Sequence, residues 1–491
     1  MSGPHRTAIV IGSGFGGLAL AIRLQSAGIA TTIFEARERA GGRAYVWQRE
    51  GHVFDAGPTV ITDPACLREL WALSGSEMAD DVELVPVEPF YRLVWNDGTR
   101  FDYAGDNDAL ERNIAALEPR DVAGYRRFLD YSKGVYREGY EKLGAVPFLD
   151  FGSMVRAAPA LARYQAWQSV YSAVSRHISN DKLRQAFSFH TLLVGGNPMT
   201  TSSIYALIHH LEKSGGVWFA RGGTNRLVAG MVALFERLGG TIRCGEPVLA
   251  INHAGNRRVT GVTTASGAHQ ADMVASNGDI VHTYRLLGDH PRGRQAVRRL
   301  ERKRFSPSLF VVHFGLDGHY PEIAHHSIIF SDRYGPLLDD LYQRGVVAGD
   351  PSLYLHHPTA TDPSMAPEGH STFYALAPVP NLAKGDVDWN AEAERYREVV
   401  FDRLEQTVLP GLRDRLTVQF CYTPQDFTQD LSAHLGSAFS LEPTLLQSAY
   451  FRGHNRDDHF GNLYLVGAGT HPGAGIPGVV GSAKATAGLM I

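Results

Sequence analysis

At 491 residues the chain is too long for one compact core; at roughly 100–200 residues per domain it holds two or three, with room for interleaved segments. Its 44% hydrophobic and 20% charged residues exclude extensive disorder, and 47 basic against 51 acidic residues, net −4, supply no global field for nucleic acid. Cys66, Cys244 and Cys421 lie far apart with no CxxC, which fits a reducing compartment and gives neither a disulfide framework nor a thiolate zinc site.

The first sixteen uncharged residues, 7–22, have the length of a secretory h-region, but Gly12, Gly14, Gly16 and Gly17 weaken a signal helix and no small-residue cleavage site follows. No other run reaches the eighteen apolar residues of a membrane span, so the mature chain is expected to start near Met1 and cross no membrane. The same segment reads better as strand, turn and helix. Thr7–Ile11 is a short β-branched strand, 12–17 is GxGxxG, and 18–27 is a helix stopped by Gly28. A second strand, 31–34, ends in Glu35. In such a unit Gly12 makes the tight turn, Gly14 admits a pyrophosphate to the backbone, and Gly17 lets helix and strand pack closely. The helix N-terminus faces the phosphates with about half a positive charge. Glu35 accepts hydrogen bonds from an adenosine ribose and repels a 2′-phosphate, which disfavours NADP.

Residues 154–178 carry Leu161, Tyr164, Trp167, Tyr171, Val174 and Ile178 at three- and four-residue spacing, with Arg156, Arg163 and Arg176 nearby. One amphipathic helix is predicted, either core-facing or lying in a membrane interface. Residues 241–275 read as a glycine-punctuated strand meander, and 308–316 and 372–378 as buried strands. The pairs His209-His210, His325-His326 and His356-His357 are expected to diverge, and without HxxxH or HExxH spacing no metal site is predicted. Near the end, 463–466 reads as a strand, 467–475 as a loop rich in exposed backbone, and Val479 onward as a helix whose N-terminus lies near Gly478.

Ala40-Gly-Gly-Arg43 resembles the second glycine motif of glutathione-reductase-like and amine-oxidase-like flavoproteins, and 54–59 (FDAGPT) resembles the loop that follows it. The stretch 462–482 resembles the signature of bacterial-type phytoene desaturases, the carotenoid dehydrogenases. So do 41–45, 54–64, 184–203 (RQAFSFHTLLVGGNPMTTSS), Gly222-Gly223 before Leu227, 275–279 and 471–489, so the resemblance spans essentially the whole chain.

That resemblance implies an α/β fold. A Rossmann-like FAD-binding domain would be built from 1–75, 216–300 and 455–491, interleaved with an α+β substrate domain from 76–215 and 301–454. FAD is the implied cofactor, held by Gly12, Gly14, Gly17, Glu35, Gly41, Gly42, Arg43, Gly57, Gly469, Gly478 and Val479, with Val248 against the adenine. His471 in the glycine loop and Arg156 at the mouth or active-site wall are the candidate catalytic residues. The implied reaction is desaturation of phytoene, with lycopene as product, by removal of hydride to flavin N5 and of a proton from the neighbouring carbon. Moving a hydrocarbon of roughly forty carbons into water costs on the order of 30 kcal/mol. The enzyme is therefore expected to be cytoplasmic and peripherally bound to the inner face of the cell membrane, passing electrons to a quinone or oxygen. A flavin amine oxidase, a flavin-dependent carotenoid isomerase and a non-redox lipid-binding protein on the same scaffold remain open alternatives.

Overall fold

The computed structural model describes residues 6–149, 151–255, 257–385 and 387–491. Five parallel strands form one sheet in the order Thr241–Arg243, Ala30–Phe34, Thr7–Ile11, Met273–Ser276 and Leu463–Leu465. Parallel sheets need both faces covered. Helices Phe15–Ser26, Thr224–Arg237 and Ile476–Met490 bury one face through Leu18, Ile22, Leu227, Val480 and Ala483. The other face carries an antiparallel meander, Ala250–Ala254, Arg258–Thr264 and Gly267–Gln270, with helices Ile280–Arg285 and Pro291–Leu300. The carboxyl ends of the four strands nearest the crevice deliver Gly12, Glu35, Asn277 and Val466. Open α/β sheets bind ligands at such an edge.

A second, seven-stranded sheet runs Leu416–Tyr422, Ser308–Asp317, His370–Val379, Leu353–His356, His326–Ile329, Tyr91–Val94 and Arg100–Tyr103. Its pairs are antiparallel except His326–Ile329 with Tyr91–Val94. Strand alternation sends Phe310, Val312 and Phe314 against helix Trp389–Thr407 on one face. On the other face Tyr354, Tyr374 and Ile328 point toward a helical cap that includes Asp121–Tyr136, Asp181–Ser188 and Leu207–Gly215.

Four sequence expectations are corrected. The first helix starts at Phe15, inside the glycine motif, not at Leu18, because Gly16 and Gly17 are helical residues packed tightly on the strand. Residues 241–275 are not one meander, since their two end strands join the parallel sheet and only the middle pairs with itself. The helix predicted over 154–178 is two, Phe151–Arg163 and Val170–Ser175. Gln165 takes φ +51 and the Ala166 N–H turns back to Leu161 O, so Val174 and Ile178 enter the core while Trp167 is 66% exposed. The C-terminal helix begins at Ile476, with Pro477 in its first turn, where a missing N–H costs nothing.

Candidate functional site

The glycines close the strand ends into a cradle. Gly12 sits at φ +89, and a Cβ on Gly17 would lie 2.1 Å from Gly12 O, so that position admits only glycine without a shift. A Cβ on Gly14 or Gly16 would meet the Asn277 side chain at 2.8 or 2.7 Å. Asn277 donates from Nδ2 to Val466 O (3.1 Å) and so ties the first glycine loop to the C-terminal one. Glu35 is buried at the cradle's edge, accepting from Ser13 N–H (2.9 Å) and Oγ–H (2.6 Å) and from the Arg37 N–H (2.9 Å). A carboxylate has about four lone-pair directions, which leaves one free toward the cavity.

Gly41 and Gly42 have φ of +131 and +55, and a Cβ on Gly42 would press on Gly14 Cα at 3.3 Å. They aim Arg43 into the crevice. Its Nη2 donates to Ser437 O (3.3 Å), its shielded Nε has no partner, and enclosure lowers the guanidinium's pKa against the attraction of Asp279. Gly57 packs over Arg43 O, 2.8 Å from where its Cβ would be. Asp279 Oδ2 and Ser440 Oγ are likewise buried without partners. A guanidinium with its Nε–H unpartnered, two helix N-termini (Gly14–Phe15 and Gly475–Ile476) and a cradle that Cβ atoms would fill together suit a dinucleotide diphosphate.

One cavity of about 760 Å³ joins these parts. Gly12, Gly14, Glu35, Gly41, Gly42, Arg43, Gly57, Val248, Gly469, His471, Gly478 and Val479 all line it. Gly17 lies behind the lining, at the helix–strand contact, and Val248 sits in the link before strand Ala250–Ala254. Arg156 is exposed; from its helix Met154, Ala157, Ala160 and Leu161 line the cavity instead. His471 donates from Nε2 to Leu143 O (2.8 Å), its ring edges against Phe148 at 4.7 Å, and Nδ1 is buried without a partner. Burial pushes this imidazole down from 6.5 to about 4, so it is neutral at pH 7.

Away from the cradle the cavity wall turns apolar, with Phe148, Leu161, Leu193, Ile208, Phe330 and Phe427. Among the ionisable residues of the lining, Glu212 and His190 face each other and were missed by sequence reasoning. Glu212 Oε2 lies 3.0 Å from His190 Nε2, and Tyr91 O–H donates to Glu212 Oε1 at 2.7 Å; both residues are almost fully buried. The usable signal was a glutamate four residues after Ile208 on an otherwise apolar helix face. The expected divergence of adjacent histidines also fails at one pair, since the His325 and His326 rings touch with centroids 4.5 Å apart. His325 precedes its strand and escapes the alternation that would separate them.

Residues 15–491 match the family model for flavin containing amine oxidoreductase. The chain is 61% identical to a phytoene desaturase (lycopene-forming) from a Paracoccus species, over 99% of this chain and 97% of that one. It is 55% identical to the protein of the same name from Pantoea ananas, over 98% of each. Among solved structures, putrescine oxidase bound to putrescine superposes with a TM-score of 0.64 at 15% identity, covering 99% of this chain and 98% of the other, a likeness of fold alone.

Proposed function

The chain belongs to the flavin-containing amine oxidoreductase family, and on that premise we propose that it is an FAD-dependent desaturase that converts phytoene to lycopene. The observation that carries this reading is a dinucleotide cradle continuous with a mostly apolar cavity. When bound, FAD supplies at its flavin N5 the hydride acceptor that a hydrocarbon requires. Everything else falls to the chain. A hydrocarbon offers no polar handle, so the apolar wall orients it by shape, aligning one saturated C–C pair at a time and excluding water.

Each desaturation breaks two C–H bonds and forms one C=C, and the proton needs an acceptor inside a dry cavity. In this reading the Glu212–His190 pair takes it: the carboxylate stands in the apolar wall and Tyr91 holds it in place. His471 then acts as a neutral positioning group that clamps Leu143 over the C-terminal glycine loop. Arg156, on the outer side of its helix, belongs to the mouth. Gly12, Gly14, Gly17, Gly41, Gly42, Arg43 and Gly57 hold the pyrophosphate side, Glu35 and Val248 the adenosine, and Gly469, Gly478 and Val479 the flavin. The domain division 1–75, 216–300 and 455–491 against 76–215 and 301–454 is supported by the five parallel strands, all of which fall in the first set.

The substrate also sets the location. Val146, Val155, Trp167 and Leu446 are 44%, 59%, 66% and 72% exposed, beside the cavity-lining residues Leu143, Met154, Leu161 and Leu445. These exposed apolar side chains suit peripheral attachment to the inner face of the cell membrane, from which phytoene enters without crossing water. Among the described residues no helix is long and apolar enough to cross a membrane. With FAD bound, a membrane quinone or oxygen would serve as the final electron acceptor. The test is incubation of the flavin-loaded protein with phytoene in liposomes and chromatography of the extract. Lycopene must appear; recovered phytoene with oxidation of amines, isomerisation alone, or no flavin retention would each select one of the competing functions.

A further inference from the structure

Behind the cavity wall lies a group of ionisable side chains that desaturation does not use. His325, His326 and His356 each offer a ring nitrogen, all within 4.8 Å of one another, and the three rings are at most 5% exposed. The second sheet builds the group: His326 and His356 are directly opposed on neighbouring antiparallel strands, and His325 immediately precedes the first of them. Water does not reach these nitrogens, yet Nε2 of His325, Nε2 of His326 and both nitrogens of His356 are buried without a hydrogen-bond partner. Orphaned buried polar atoms of this kind cost on the order of 1–3 kcal/mol each, so several facing one another call for an occupant.

The proton on His326 can be deduced. Tyr374 O–H donates to Gly57 O (3.0 Å), which only accepts. The Tyr374 oxygen therefore receives the Thr59 hydroxyl proton (2.7 Å), and Thr59 in turn receives that of Tyr354 (2.8 Å). Tyr354 has spent its only proton, so at 2.7 Å it accepts from Nδ1–H of His326. His326 Nε2 must then carry a lone pair, aimed into the cluster. His325 also sets Nδ1 against a hydroxyl, 2.6 Å from Thr361 Oγ1, and its Nε2 has no partner. Facing His356 Nε2 at 3.6 Å is the unpartnered Oδ2 of Asp55, itself 1% exposed and otherwise held by the Thr224 N–H through Oδ1.

We infer that His325, His326 and His356 form a binding site for a divalent transition-metal ion of imidazole preference, with zinc as the reference case. Neutral imidazoles whose second nitrogen is held by a hydroxyl or faces a carboxylate are the arrangement such ions select. Asp55 places a carboxyl oxygen 3.6 Å from His356 Nε2, beside the ligands. A tetrahedral ion about 2.0–2.1 Å from each nitrogen sets them about 3.4 Å apart, so the rings draw in by about 1.4 Å or less. The ion would pin the His326–Ile329 and Leu353–His356 strands together and, through His326 and Tyr354, stiffen the wall that Thr59, Tyr354 and Tyr374 present to the cavity. Its role is structural and independent of the reaction proposed above.

The test uses full-length, flavin-loaded protein purified without any metal-affinity step, stripped with a chelator, given zinc chloride and desalted before elemental analysis. About one zinc per chain is expected, together with a rise of several degrees in the thermal midpoint. A protein with both His326→Gln and His356→Gln should lose both effects while keeping its flavin. Cobalt(II) chloride added to the stripped wild type provides a readout that needs no variant, since visible bands of a tetrahedral nitrogen-ligated ion are expected. Less than about a tenth of an equivalent of zinc and an unmoved midpoint would overturn the site. Absence of cobalt bands, or equal zinc retention by the double variant, would overturn it as well.

Discussion

Gly17→Ala tests whether the first glycine loop is a cradle built by backbone contact. The added Cβ would lie 2.1 Å from Gly12 O, well inside the 3.0 Å below which real Cβ atoms essentially never come, and its next neighbours are Asn277 side-chain atoms at 3.1 and 3.2 Å. The helix cannot retreat freely, because Phe15 through Leu24 are buried between the sheet and the helices Thr224–Arg237 and Ile476–Met490. Overpacking of this kind costs about 1–3 kcal/mol, and a backbone-on-backbone clash belongs at the upper end. Any relief that lifts the helix N-terminus draws its free N–H groups away from the diphosphate. Loss of about 2.7 kcal/mol raises the dissociation constant for FAD about 100-fold. The assay is titration of flavin-free protein with FAD by fluorescence quenching, with the thermal midpoint measured alongside. Gly28→Ala is the control: it carries a left-handed backbone penalty, at φ +80, that helical Gly17 does not, but its Cβ meets nothing within 4 Å, so it should lose about 1 kcal/mol of stability and no FAD affinity. A Gly17→Ala protein that binds FAD within about threefold of wild type would refute the reasoning.

Three further outcomes are expected. The His471 ring titrates at about 4 in the folded protein against 6.5 unfolded. Its contribution is therefore whole above pH 6.5, shrinks as the pH falls through that window and is gone below about 4, a difference of about 3 kcal/mol. His471→Gln keeps a donor for Leu143 O but does not titrate, so the stability gap between variant and wild type should change across pH 6.5 to 4 in denaturant melts, and parallel curves would contradict the placement. Glu212→Gln should lower the desaturation rate by about 100-fold or more with FAD binding unchanged, because the proton loses its carboxylate while the cradle is untouched; an unaltered rate in a liposome assay would remove Glu212 from the mechanism. Trp167→Glu combined with Leu446→Glu should weaken liposome binding by at least about 100-fold in flotation assays while leaving FAD affinity intact, since two largely exposed apolar side chains lose about 1.5–3 kcal/mol of burial each.

The sequence revealed most where chemistry is local. Gly12, Gly14 and Gly17 are spaced by a turn and a helix start, and Glu35 by the end of the next strand, so the nucleotide half of the site could be read from neighbouring residues alone. The rest depends on register and packing between distant segments. Asn277 becomes a wedge only because strand Met273–Ser276 inserts between the first and last strands of the sheet. Glu212 meets His190 across two helical segments with no shared spacing. The break after Arg163 was hidden because a glutamine, not a glycine, takes the left-handed turn at Gln165. The three clustered histidines were read as diverging pairs, since alternation describes one strand and says nothing of the residue across from it.

The account's central claim is that electrons leave a hydrocarbon for the flavin inside the apolar cavity. The most direct measurement is a single-turnover experiment: FAD-loaded protein and phytoene in liposomes, mixed without oxygen or quinone, with visible spectra recorded over time and the polyenes quantified. Flavin bleaching should keep pace with the appearance of structured polyene absorption, with one new double bond for each flavin reduced. Bleaching without new double bonds, or new double bonds while the flavin stays oxidised, would contradict it.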